Sequence, residues 1–232
     1  MLLLGLQKLT LLDFPEKIAA TVFTGGCNFK CPFCHNASLV IGERVQAGEP
    51  IAEEEFFAFL KKRRGMLEGV CVSGGEPTLA PDLIPFLNNI KELGYLVKLD
   101  TNGYRPDVLR QVIDGGIVDY VAMDIKSSRE GYARAVGLNK IDISKIDESA
   151  AMLMSGKVDF EFRTTLVREL HSEDDIVAIG EWLRGDERYF LQTFIDSGDL
   201  ICENFSGYDK NETERLLKLL TPYIPNAQIR GQ

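Results

Sequence analysis

The 232-residue chain has no apolar run approaching the ~20 residues that a membrane-spanning helix needs. Its opening, Met1-Leu2-Leu3-Leu4-Gly5-Leu6, is apolar but has no basic stretch ahead of it, and Gln7 and Lys8 break it at once. No signal peptide is expected. Basic charge is also scarce. Lys and Arg number 26 against 35 Asp and Glu, a net charge of −9. Affinity for nucleic acid is built on cations facing phosphates, so this balance argues against a general phosphate-backbone binder. The surplus carboxylates read as a solvated surface. Cysteine is sparse too. Five is an odd number, which argues against a disulfide framework. Together these shortages predict a protein of the cytoplasm, where thiols stay reduced, with no membrane and no nucleic-acid partner. What remains is ordinary: 45% hydrophobic and 26% charged residues, in a length that suits one sizeable domain spanning 1–232.

Three of the five cysteines fall within eight residues, Cys27-Asn28-Phe29-Lys30-Cys31-Pro32-Phe33-Cys34, spaced C-x3-C-x2-C. A structural zinc site wants four closed ligands, and no fourth Cys lies nearby. Three thiolates on an iron–sulfur cube leave one iron open to a substrate. The bland alternative is a zinc knuckle completed by His35. Cys31-Pro32-Phe33-Cys34-His35 also matches the c-type haem attachment pattern, but that chemistry needs export and leaves Cys27 unexplained.

The rest of the chain alternates strands and helices. Residues 1–17 read as a short strand or lead-in. Strands are predicted over Ile18–Phe23, Gly69–Val72, Tyr95–Leu99, Ile117–Met123, Val158–Val167 and Arg188–Phe194. Helices are predicted over Ala52–Arg64, Pro81–Leu93, Pro106–Asp114, Ser144–Ser155 with a Ser cap, a Ser172-capped segment reaching Arg184, and Asn211–Leu220. Residues 36–50, with Gly42, Gly48 and Pro50, read as irregular. The pattern predicts an α/β fold of parallel strands with flanking helices, either an open doubly wound sheet or a partial (β/α)6 TIM-like barrel.

The unusual motifs fall at strand ends, where such a barrel keeps its chemistry. The Cys loop follows the first of the six strands and Ser73-Gly74-Gly75-Glu76-Pro77 the second. Paired glycines there let backbone approach a ligand closely, although Gly-Gly-Glu-Pro alone is a common turn. Asp100-Thr101-Asn102-Gly103 follows the third strand, and its Asn-Gly is itself a turn signal. Asp124-Ile125-Lys126 ends the fourth. Period-two spacing puts Asp124 and Lys126 on one side, either as a mutual salt bridge or as a binding pair. Arg163 lies inside the fifth strand, free to grip a carboxylate or to pair with Glu161 two residues away. Gln192 is near the end of the sixth.

The Cys spacing resembles that of the radical S-adenosylmethionine (radical SAM) superfamily. The words Thr24-Gly25-Gly26-Cys27 through His35-Asn36 are similar to those of glycyl-radical enzyme activases. The opening Gly5-Leu6-Gln7-Lys8-Leu9-Thr10-Leu11-Leu12-Asp13-Phe14-Pro15 resembles one branch, the anaerobic ribonucleoside-triphosphate reductase activating proteins. The resemblance covers most of the chain and favours the partial barrel. It implies a 4Fe–4S cluster on Cys27, Cys31 and Cys34, and S-adenosylmethionine contacted by Gly74, Gly75, Glu76, Asp100, Asp124, Lys126 and Arg163. Gly74-Gly75-Glu76 would receive the methionine ammonium, and Lys126 the methionine carboxylate. It further implies a glycyl-radical enzyme as partner, anaerobic ribonucleotide reductase, and flavodoxin or ferredoxin as electron donor. Gln192 departs from the His that pyruvate formate-lyase activases tend to carry there. The rivals are a radical SAM enzyme on a small molecule, such as a 7-carboxy-7-deazaguanine synthase, and a non-catalytic iron–sulfur redox protein.

The remaining residues read as bland. Cys71 and Trp182 are expected in the core, Cys202 as inert, and His171 as exposed. No second Cys cluster marks an inserted ferredoxin-like domain. Glu53-Glu54-Glu55 suits the first turn of a helix.

Overall fold

Each strand of this chain alternates two kinds of side chain, and that alternation builds the molecule. A computed structural model describes residues 1–42, 45, 49–186, 188–196 and 198–231; Gly48, read above as part of an irregular stretch, lies outside them. The six expected strands are β2 (Ala19–Thr24), β3 (Gly69–Gly74), β4 (Leu96–Thr101), β5 (Tyr120–Asp124), β6 (Asp159–Leu166) and β7 (Tyr189–Thr193). They pair in parallel in chain order.

Two further strands flank these six, one where residues 1–17 read as a short strand or lead-in and one that was not expected. The lead-in forms β1 (Leu3–Thr10), antiparallel to β2, and the last residues form β8 (Gln228–Arg230), parallel to β7. Among the described residues the sheet therefore has eight strands in the order β1 to β8. β1 and β8 are its two edges, so it is an open relative of the closed eight-fold barrel.

One face of the sheet carries Val22, Val70, Val72, Val97, Leu99, Val121, Phe162 and Leu191, all fully buried. The flanking helices press Phe56, Leu60, Phe86, Leu87, Leu109, Leu153, Ile176 and Leu220 into the same apolar cluster. Each such burial is worth about 1.5–3 kcal/mol before entropy is charged against it. The other face is polar. The parallel registers set Cys71 beside Lys98, Lys98 beside Tyr120, Ala122 beside Glu161 and Asp124 beside Arg163. Cys71 is buried as expected, but on this inner polar face, with the Lys98 ammonium nitrogen 3.9 Å from its sulfur.

Helix starts shifted where two caps competed. The helix expected from Ser144 spans Ile143–Met154, because the Asp142 carboxylate accepts from the Ser144 amide at 3.3 Å and takes the cap. The last long helix begins at Lys210 rather than Asn211, held by a capping box between Asp209 and Glu212. Ser172 caps Glu173–Trp182 through the same kind of box with Asp175. Glu53, Glu54 and Glu55 fill the first turn of Glu53–Lys62. In the stretch read as irregular, Ala37–Val40 is one helical turn. Trp182 is half-buried, edge-on to Tyr132 with the Arg129 guanidinium 4.6 Å above its ring.

Candidate active site

The C-terminal ends of β2 to β7 surround a cavity of about 400 Å³, a size suited to a small cofactor. Its wall includes Cys27, Cys31 and Cys34, Gly74, Gly75 and Glu76, Asp100, Asp124, Lys126 and Arg163. Every residue singled out from the sequence as a ligand or contact is thus on one surface. Asn102, His35 and Gln192 line it as well.

Backbone hydrogen bonds anchor the Cys loop at both ends and in its middle. Gly26 donates to the Leu39 carbonyl at 2.7 Å, Lys30 to Val136 at 2.9 Å, and Pro32 accepts from Cys202 at 2.9 Å. Its lead-in abuts the second glycine pair. Gly75 N donates to Thr24 at 2.9 Å and Glu76 N to Gly26 at 2.8 Å. A Cβ on Gly75 would fall 2.0 Å from the Gly26 carbonyl oxygen, and one on Gly74 2.3 Å from the Thr24 nitrogen. These glycines are required because two loops touch backbone to backbone, whatever ligand the cavity takes. Gly74 also holds a φ of +120°, which side chains resist.

Glu76 was expected to offer a carboxylate to the ligand. In this structure its Oε1 accepts from Thr78 N (3.1 Å), Thr78 Oγ1 (2.5 Å) and Thr101 Oγ1 (2.8 Å), and its Oε2 from Asn102 N (2.6 Å). Burial pushes its pKa up, against these bonds. The residue ties the loop after β3 to the loop after β4.

The remaining charges form one chain across the cavity wall. Lys98 pairs with Asp100, which also accepts from Ser73 Oγ at 3.0 Å. Arg163 reaches Asp100 at 3.4 Å through a terminal nitrogen and Asp124 at 2.9 Å through Nε. Asp124 in turn binds Lys126 at 2.8 Å. Three cations meet two carboxylates. Burial would raise both carboxyls, but Arg163 and Lys98 outweigh it at Asp100, and Arg163 and Lys126 at Asp124, so both are held below the usual range. Burial works the other way on Lys126, yet Asp124 holds its pKa up. The mutual Asp124–Lys126 pair is therefore present. The Glu161–Arg163 pair is not. Glu161 turns down the barrel to Arg230, at 2.7 and 2.8 Å, and accepts from the Tyr120 hydroxyl at 3.0 Å.

Burial pushes the Cys27 thiol up to about 12, helped by Glu76, and Cys31 to about 11. Cys34 moves in the same direction for the same reason. Among the described residues, no group of three or more His, Cys, Asp or Glu side chains is gathered to hold a single metal ion. A multi-iron cluster asks for something different, thiols set around a space, each taking its own iron. The amide nitrogen of Asn28, next to Cys27, is buried without a hydrogen-bond partner, and a sulfide-rich cluster would bring acceptors to that corner. These residues fit such a cluster.

His171, expected on the surface, is 1% exposed. Its Nδ1 accepts from Val167 N at 3.0 Å, so Nε2 carries the proton and donates to the Lys126 carbonyl at 2.8 Å. The Phe33 ring packs edge-on against it, which joins the Cys loop to the end of β5. Lys98, Ser73 and Thr101 were also missed. The first carried a signal: Lys98 and Asp100 repeat the period-two spacing of Asp124 and Lys126.

Residues 21–183 match the Radical SAM superfamily, and the chain belongs to that family. It is an enzyme of the radical SAM kind, whose cofactors are a 4Fe–4S cluster and S-adenosylmethionine. Over 97% of its length it is 33% identical to a candidate glycyl-radical enzyme activating enzyme of Methanocaldococcus jannaschii, covering 94% of that protein. It is 30% identical to the pyruvate formate-lyase-activating enzyme of Clostridium pasteurianum over 59% of this chain and 57% of that one. Identity to the 7-carboxy-7-deazaguanine synthase of Koribacter versatilis is 25% over 66% of this chain and 63% of that one. SuiB of Streptococcus suis, solved bound to S-adenosylmethionine, shares the fold with a TM-score of 0.68 and 15% identity, over 90% of this chain and 49% of that chain. No helix among the described residues is long and apolar enough to cross a membrane.

Proposed function

We propose that this chain is one radical SAM unit, 1–232, that activates a glycyl-radical enzyme in the cytoplasm, with anaerobic ribonucleoside-triphosphate reductase as the partner. The observation that carries this is the convergence of three cysteines and a surplus-cation charge chain on one cavity, in a chain related over nearly its whole length to a candidate activase. Cys27, Cys31 and Cys34 hold the cluster. When bound there, the cluster would supply reductive cleavage of S-adenosylmethionine, with flavodoxin or ferredoxin as the electron source, and through it the removal of a hydrogen from a glycine α-carbon of the partner.

This chain's residues bind and orient. The Gly74–Gly75 backbone receives the methionine ammonium. Lys126, the outer cation of the chain of charges, takes the methionine carboxylate. Asp100 and Asp124 face the ribose hydroxyls or the ammonium, and Arg163 fixes both of them. Glu76 acts through the loop it holds. No general base is required. The walls of the cavity exclude water.

Anaerobic reconstitution with iron and sulfide, reduction, and addition of S-adenosylmethionine with the candidate reductase tests this. The expected products are methionine and 5′-deoxyadenosine, with a glycyl-radical signal on the partner, all lost in Cys27→Ala, Cys31→Ala and Cys34→Ala. Cofactor cleavage that modifies a small molecule, with no radical on any glycyl-radical protein, would favour the deazaguanine-synthase reading instead. A cluster that loads and cycles without ever cleaving S-adenosylmethionine would favour a redox protein.

A further inference from the structure

The three cysteines are not equivalent, and the difference lies in Asn102. This residue is 5% exposed and every polar atom of its amide is assigned by its neighbours. Its Oδ1 accepts from Tyr104 N at 3.0 Å. That contact fixes which way the amide faces. The Nδ2 group must therefore face the Cys loop, where it donates to Asn28 Oδ1 at 2.8 Å and lies 3.8 Å from Cys27 Sγ. The backbone of Asn102 is fixed as well, because its N–H donates to the buried Glu76 carboxylate at 2.6 Å. Cys27 Sγ receives a second donor from its own loop, the Phe29 N–H at 3.4 Å. The sulfur thus faces one backbone and one side-chain donor, and the side-chain donor comes from a different strand end.

A donor on a cluster-bound thiolate stabilises the more electron-rich, reduced state, and hydrogen bonds to the sulfurs are one of the levers that set reduction potential. We propose that Asn102 is a positioning residue that acts through Cys27: it orients the thiolate and raises the reduction potential of the cluster that the three cysteines hold. This rests on the reading that Cys27, Cys31 and Cys34 carry a 4Fe–4S cluster. Because Asn102 also holds Glu76 through its backbone, the same residue registers the Cys loop against the Gly74–Gly75 turn.

The test is a redox titration of the reconstituted protein, following the cluster by its visible absorbance and by electron paramagnetic resonance. Asn102→Ala removes the donor. Asn102→Asp keeps the acceptor for Tyr104 N and sets a negative oxygen against the thiolate. The midpoint is expected to fall in the order wild type, Asn102→Ala, Asn102→Asp. Asn28→Ala, which removes Asn102's other acceptor and leaves the contact to Cys27, should shift the midpoint less than Asn102→Ala. Iron and sulfide content and the thermal midpoint are measured beside each titration. Wild type that loads no cluster overturns the cluster reading itself. Loaded variants with an unchanged midpoint overturn only the role of Asn102. Variants that are unfolded by circular dichroism give Asn102 a purely structural role and also overturn it.

Discussion

Two buried charge clusters share the inside of this sheet, and they are built to opposite rules. The lower one joins Tyr120, Glu161 and Arg230. One carboxylate meets one guanidinium in a two-pronged bond, and a phenol hydroxyl donates to one of its oxygens as well. The Arg230 guanidinium also lies 3.7 Å from the centre of the Phe190 ring. Nothing there is left over. The upper cluster joins Lys98, Asp100, Arg163, Asp124 and Lys126, and it ends with one cation in excess on the wall of the cavity. Buried ion pairs give little net stability, since desolvation consumes most of the attraction. A closed cluster is therefore sensible as architecture. A cluster with surplus charge makes sense only where an anion is to arrive.

Removing the hub of the upper cluster should have the largest effect. Asp124→Ala leaves Arg163 and Lys126 without the carboxylate between them. An expected loss of about 3 kcal/mol, seen in urea unfolding, would come with lost S-adenosylmethionine binding. Arg230→Ala should strand the Glu161 carboxylate at the lower site. It should lower stability by about 2 kcal/mol while cofactor affinity stays within about twofold. An affinity loss equal to that of Asp124→Ala would erase the distinction between the two clusters. Lys126→Ala should do the reverse. It should weaken S-adenosylmethionine about 10- to 100-fold by calorimetry on the loaded protein, with under about 1 kcal/mol change in stability.

Acid sharpens the comparison by a smaller amount. Asp100 and Asp124 are held below their ordinary values. Their contribution is therefore present above the unfolded value of about 3.9 and lost as pH falls through the lower folded values. Glu76 is held above its ordinary value by burial, so its ionisation opposes folding and its share moves the other way with acid. Urea midpoints measured from neutral pH down to about pH 3 should fall less steeply in Asp124→Asn than in wild type.

The sequence showed most of the cavity wall because its chemistry is local. Cys27, Cys31 and Cys34 are spaced along one loop, Gly74-Gly75-Glu76 sits at a strand end, and Asp124 and Lys126 obey a period of two. What it hid depends on register. Arg163 was left between gripping a carboxylate and pairing with Glu161 on its own strand, and the choice could not be made from the sequence because Asp124 lies beside it only once β5 and β6 are aligned. His171 looked exposed before a helix cap, yet the carbonyl it binds belongs to Lys126, 45 residues away. The three residues of β8 carry too little pattern to reveal a strand, and Arg230 with them. Glu76 lies on the cavity wall, and the sequence did not show the donors its carboxylate meets there, because Thr101 and Asn102 come to it from the next strand.

The abutment of Gly26 against Gly75 has a consequence for the order of events. Those backbone bonds join the thiol loop to the turn after β3 without help from any bound group. The ordering entropy of both loops is thus settled during folding, and little of it is left to be charged when a cofactor arrives. A cofactor therefore meets two loops that folding has already joined.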